Sequence, residues 1–169
     1  MVGVTATIEL NVKAKQSGAG DLGTPQTTAV LERVLEFAAG TAAVGQSNIL
    51  FADERTIAAS GSEDLDLAGV LSDALGATIA AAEVVAIAIV ADPGNTNDVQ
   101  VTRPASNGVP AFLAAGDGLS IGPGDMFLLT NRKGIGVTAA TADLIHVANS
   151  GGTTGVTYKV IIIGRTVAA

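Results

Sequence analysis

Few side chains in this sequence could do chemistry. His146 is the single histidine and sits in LIHVAN, in the polar register of an alternating segment. A lone imidazole there reads as an ordinary strand residue. A Ser-His-Asp relay would need a geometry that spacing alone does not supply. Neither a GxSxG elbow nor an HExxH pair is present. The loop DPGNTND offers oxygen ligands from Asp92, Asn95, Asn97 and Asp98, groups that calcium accepts. Their spacing departs from the EF-hand pattern, and a solvated turn is the expected role. Glu63, Asp64, Asp66 and Asp73 form an acidic stretch. Paired carboxylates hydrolyse glycosides when they face each other across a cleft. Asp64 and Asp66 fall on one strand face instead, which suits a wet surface or contact with basic groups of a partner. The glycines at 122, 124, 134 and 136 make neither GxGxxG nor a P-loop and suit turns between strands. No catalytic residue and no cofactor is expected.

Bulk properties point the same way. Hydrophobic residues make up 48% and charged residues 15% of 169 positions, so a folded core is expected. Aromatics are only 3% with no Trp, which leaves Ala, Val, Ile and Leu to build that core. Ligand pockets usually have aromatic walls. The net charge of −7 disfavours phosphate backbones and anionic membrane surfaces, so neither nucleic acid nor membrane is expected as a partner. The lack of Cys rules out disulfides, thiolate metal sites and cysteine nucleophiles. The opening MVGVTATIEL lacks the basic and apolar regions of a secretory leader. The most apolar window, Ile79 to Ala91, is too short to span a bilayer and contains Glu83.

The elements that would position these residues are strands. Val2, Val4, Ala6, Ile8, Leu10, Val12 and Ala14 alternate with polar residues, predicting a long strand with one wet face. Its edge carries Lys13 and Lys15 only near the end, so it is expected to pair with another chain. Thr27 to Ala39 fits a helix face through Val30, Leu31, Val34 and Leu35. It also fits a strand with Leu31, Leu35 and Phe37 on one side, and the β-rich surroundings favour the strand. Asn48 to Ala59, the acidic stretch and Val84 to Ala91 add further strands, the last one buried. Ser72 to Gly76 predicts one helical turn capped by Ser72. Val99 to Pro104 reads as an edge strand because of its proline. Gly118 to Thr130 reads as strand, turn, strand, and Asp143 to Gly164 as a closing hairpin. This density of short strands and turns predicts an all-β, antiparallel sandwich or barrel with at most one or two helical turns. Residues 1–47 are expected to form N-terminal strands, as an arm or as part of the sandwich, and residues 48–169 the sandwich domain.

Several runs resemble small virion structural proteins of tailed bacteriophages: the DLDLAG segment from Asp64 to Gly69, the strand Val84 to Ala91, and the turn Pro123-Gly124. Thr138 to Gly152 and the strand Tyr158 to Gly164 complete the pattern. The resemblance covers about residues 48–164 and implies a jelly-roll-like sandwich on the particle exterior, with no catalytic residue. The expectation is a non-enzymatic decoration or cement protein on the outer surface of the head. It would bind the major capsid protein and associate with itself, with a trimer favoured. The interface candidates are Val2, Val4, Ile8, Leu10 and Val12 in the first strand, and Glu63, Asp64, Asp66 and Asp73. A tail or neck component and a glycan-binding fibre domain are the alternatives.

Overall fold

Alternation of apolar and polar residues becomes eleven strands in the structure, a computed structural model that describes residues 3–169. Two long strands come first, β1 (Ala6–Ser17) and β2 (Gln26–Ala39), followed by the two-residue β3 (Gln46–Ser47). Eight more follow: β4 (Ile49–Ile57), β5 (Ser62–Asp66), β6 (Glu83–Ala91), β7 (Val99–Thr102), β8 (Gly118–Ile121), β9 (Met126–Gly136), β10 (Leu144–Asn149) and β11 (Val156–Arg165). The ambiguous segment at 27–39 is strand throughout, with Leu31, Leu35 and Phe37 in one register. No helix forms among the described residues.

The last eight strands make two antiparallel four-stranded sheets, ordered β4-β11-β6-β9 and β5-β10-β7-β8. Only the β7–β8 link stays within one sheet; each of the other connections crosses to the opposite one. This is the double Greek-key order of a jelly roll. Between the sheets lie Phe51, Ile87, Ile89, Val160 and Ile162 from one side and Leu65, Val101, Ile121, Ile145 and Val147 from the other. Burying each such side chain contributes about 1.5–3 kcal/mol, so many aliphatic residues replace a few aromatics. Phe112 and Phe127 stack at 6.1 Å between ring centres on the flank of this core.

Several sequence expectations are corrected. Val99 to Pro104 is not an edge strand: β7 lies between β10 and β8. Its ladder ends at Thr102, and Arg103 N–H then donates to the Asp117 carbonyl at 2.9 Å, so Pro104 falls just beyond the paired residues. Asp143 to Gly164 is not a hairpin, because β10 and β11 belong to different sheets. Buried Asn149 donates to the carbonyls of Ala58 and Thr154, and its own oxygen accepts from Gly151 N–H. Those bonds shape the linking loop so that the chain crosses over. The turn after β8 is likewise a crossing: Gly124 N–H donates to the Ala91 carbonyl at 3.2 Å and leads β9 to the side of β6. Ser72 to Gly76 is a turn without helix. Ser72 bridges Thr78, while the Asp73 carboxylate accepts from Leu75 and Ala77 N–H at 2.9 and 2.8 Å. A side chain that bonds its own backbone in this way competes with the helical ladder.

Two polar networks, one half-buried and one buried, were not anticipated. Arg55 of β4 and Tyr158 of β11 are cross-strand partners, and both reach Glu63 in the opposite sheet. Arg55 Nε donates to Glu63 at 2.7 Å and Tyr158 Oη at 3.0 Å; Arg55 also donates to Asp53 at 2.9 Å. Burial first, then the charge of Glu63, pushes the Tyr158 hydroxyl well above the usual tyrosine range. The hydrogen bond to Glu63 raises the Arg55 guanidinium above its usual range. At the other end, fully buried Arg165 donates to Glu83 at 2.6 Å and to the carbonyls of Ala43, Arg132 and Lys133. One guanidinium thus ties β11 and β6 to the bend of β9 and to the segment leaving the hairpin.

Candidate interaction surfaces

β1 and β2 pair antiparallel over twelve registered positions, from Ala6 opposite Phe37 to Ser17 opposite Gln26. Only the base packs on the sandwich: Phe37, Ala6, Ile8 and Leu35 lie against Val85, Ala86 and Ile163 on the outer side of the β4-β11-β6-β9 sheet. Every residue from 9 to 34 is exposed. The expectation of one wet face for the first strand is therefore corrected: beyond Ile8 both faces are wet, because this part of the hairpin extends past the sheet as an arm. At about 3.4 Å per residue its paired length is roughly 30 Å. Paired glycines shape its tip. Gly20 and Gly23 exchange backbone hydrogen bonds at 2.9 and 3.2 Å, and Leu22 stands fully exposed at the apex.

The two faces of the arm differ. One continues the apolar base outward through Leu10, the Val12–Leu31 pair and the Ala14–Ala29 pair, interrupted only by Arg33. Leu10, Val12 and Leu31 are 41%, 50% and 56% exposed. The other face mixes Val30 and Val34 with Glu9, Lys13, Lys15 and the Asn11–Glu32 pair, bonded at 3.1 Å. The outer edge of β1 pairs with no described strand. A lone two-stranded hairpin is marginally stable in water, so an arm with an uncovered apolar face is suited to lying on something.

A second uncovered apolar surface lies on the outer side of the β4-β11-β6-β9 sheet. Ala52, Ile161, Ala88 and Leu128 are in register across all four strands. Leu50, Val90 and Met126 flank that row, and Met126 is the most exposed of them. An open hollow of about 310 Å³ marks the junction with the arm's base, lined by Ile8, Leu50, Ala86, Leu128, Ile161 and Ile163 among others.

The other interface candidates are scattered. Val2 lies outside the described residues. Val4 is half-buried before β1, and its carbonyl accepts from Ser47 Oγ at 3.1 Å. The acidic stretch does not form one patch, because consecutive strand residues point to opposite faces. Glu63 turns inward to Arg55 and Tyr158, while Asp64 stands outside, 2.6 Å from His146 Nδ1. Asp66 accepts from Ala68 N–H at 2.8 Å, and Asp73 serves its own turn. His146 also has Thr102 opposite it on the far side, giving an Asp-His-Thr row across the sheet. That row lies on an open sheet surface, and no hydrogen bond joins Thr102 to His146 among the described residues.

In the 92–98 loop the amides serve the fold. Asn95 bonds both the N–H and the carbonyl of Thr157 at 2.8 and 2.9 Å, Asn97 donates to Thr154, and Asp92 accepts from Gly94 N–H. These bonds pin the loop to the start of β11. No cluster of three or more acidic, His or Cys residues fit for a metal occurs among the described residues. No helix long and apolar enough to cross a membrane occurs among the described residues. Compared with known proteins, the chain matches no family model, no curated protein and no solved structure.

Proposed function

We propose that this is a non-enzymatic structural protein of a tailed-phage virion, a decoration or cement protein on the outer surface of the head that binds the major capsid protein. The observation that carries the reading is the arm: 26 consecutive exposed residues, 9–34, with an apolar face presented to solvent. A chain that leaves such a surface open is built for association. A jelly roll with two outward sheet faces suits a tile in a shell. The resemblance of the DLDLAG segment and the terminal strand to small virion proteins supports the same place.

Charge suggests a division of labour. In the arm, Glu9, Asp21 and Glu32 cancel Lys13, Lys15 and Arg33, so the net charge of −7 belongs to the body. The body, with Asp64 and Asp66 on its surface, meets basic groups of the capsid lattice, and the arm links neighbouring tiles. Many small contacts then add through the lattice. A ligand that binds only the assembled head stabilises it by about 2.7 kcal/mol per site at a hundredfold excess over Kd. A tail or neck component is the second reading, favoured by a hairpin that reaches beyond its own body.

The test is to strip the protein from heads, add it back across a salt series, and measure occupancy and the temperature of DNA release. Rebinding with a raised release temperature, weakening as salt rises, is the expected result. Exposed ion pairs are screened beyond about 8–10 Å at physiological salt. Binding to purified tails or to host glycans in place of heads would overturn it.

A further inference from the structure

We infer that the arm of one copy lies on the outer face of the β4-β11-β6-β9 sheet of a second copy, apolar face to apolar face. The fold already contains the beginning of this contact. At its base the arm packs Phe37, Ile8 and Leu35 onto Val85, Ala86 and Ile163, which belong to that same face. Beyond Ile8 the arm leaves the sheet, and each partner surface continues without the other. Leu10, Val12 and Leu31 extend the arm's face; Ile161, Ala88 and Leu128 extend the sheet's. Both are chemically alike: aliphatic, nearly uncharged, and built on flat β-structure.

Dimensions match as well. Four strands at about 4.8 Å spacing make a face roughly 19 Å wide, and a two-stranded arm covers about 10 Å of it. Over a paired length of roughly 30 Å, one arm would bury about 600 Å² counted on both partners. A stable interface needs about 1,200 Å² or more. One arm therefore falls short, and two such contacts between the same two copies reach the threshold. Each copy must give an arm and receive one. Both contacts then join the same two copies, which makes the assembly a reciprocal pair about a two-fold axis. Arg33, the one cation on the arm's apolar face, has no ion pair among the described residues. On the receiving sheet it would find Glu54, whose 3.5 Å pair with Lys159 is exposed.

The contact is a property of the purified protein, so its test is separate from that of head binding. Wild type should be oligomeric by light scattering at micromolar concentration. Replacing residues 11–32 with Asn-Gly keeps the base pairs Ala6–Phe37 and Ile8–Leu35 and closes the hairpin with a tight turn. This variant should be a folded monomer. Ile161→Glu, with the arm intact, should shift the concentration of half-association upward at least a hundredfold. Because the chain has no cysteine, Val12→Cys protein mixed with Leu128→Cys or Ile161→Cys protein should give mixed disulfide dimers on mild oxidation. A monomeric wild type, an oligomer that survives both variants, or no mixed disulfide from either pairing would overturn the inference.

Discussion

Arg165 offers the sharpest test of how the arm and sandwich are held together. Its guanidinium has no solvent exposure, and Glu83 is 9% exposed. Glu83 Oε2 accepts from Arg165 Nε at 2.6 Å, from Nη2 at 2.5 Å and from Ala169 N–H at 3.1 Å. Glu83→Gln keeps the volume and one acceptor oxygen but removes the only counter-charge in contact with Arg165 among the described residues. Removing one partner of a buried ion pair costs about 3–5 kcal/mol, because the other charge stays desolvated and uncompensated. For a chain of this size each kcal/mol lowers Tm by about 2–4 °C. A fall of roughly 6–20 °C is therefore expected by calorimetry at fixed protein concentration. The double variant Glu83→Gln/Arg165→Met removes both charges and still should not recover wild-type stability. The carbonyls of Ala43, Arg132 and Lys133 would lose their shared donor, at about 1–3 kcal/mol for each one left unsatisfied. A loss below about 1 kcal/mol in Glu83→Gln would refute the reasoning, since it would mean that water already screens the pair.

Tyr158 is the single tyrosine and the chain has no Trp, so tyrosinate absorbance reports this hydroxyl alone. Its pKa is raised in the folded state, so the native protein holds the proton where the unfolded chain releases it. Stability is then complete below pH 10 and falls above it, by about 1.4 kcal/mol at pH 11. Denaturation midpoints across pH 8–11 should show that fall in wild type and a shallower one in Tyr158→Phe; a native tyrosine titrating near pH 10 would contradict the buried network. His146→Gln should change stability by no more than about 0.5 kcal/mol, as expected for an exposed surface pair. It should also leave self-association and head binding intact. A loss of either function confined to this substitution would make the histidine more than a strand residue.

Much of this architecture is dictated locally. Strict alternation from Val4 to Ala14 and the β-branched residues at 84–91 mark strands without reference to the rest of the chain, because a period of two sets which side chains share a face. The acidic balance and the lack of cysteine are equally independent of folding. Other features depend on which sheet a strand enters. β10 and β11 pair with different neighbours in opposite sheets, and Asn149, a residue whose type says only that a turn is near, holds the loop that crosses between them. Glu63 and Asp64 look alike in sequence, yet the pleat sends one to Arg55 and Tyr158 and the other to solvent. Arg55 shares the inward register of Phe51 and Ile57, and that placement was the readable sign of a half-buried network; Glu63 and Tyr158, which complete it across the sheets, lie 8 and 103 residues away. Whether the N-terminal strands form an arm or part of the sandwich was open in the sequence for a related reason. Alternation reports two faces of a strand, but only the arrangement of the sheets determines whether the chain's own body covers one of them. Past Ile8 the body ends, and the same apolar pattern that would have filled a core becomes a surface.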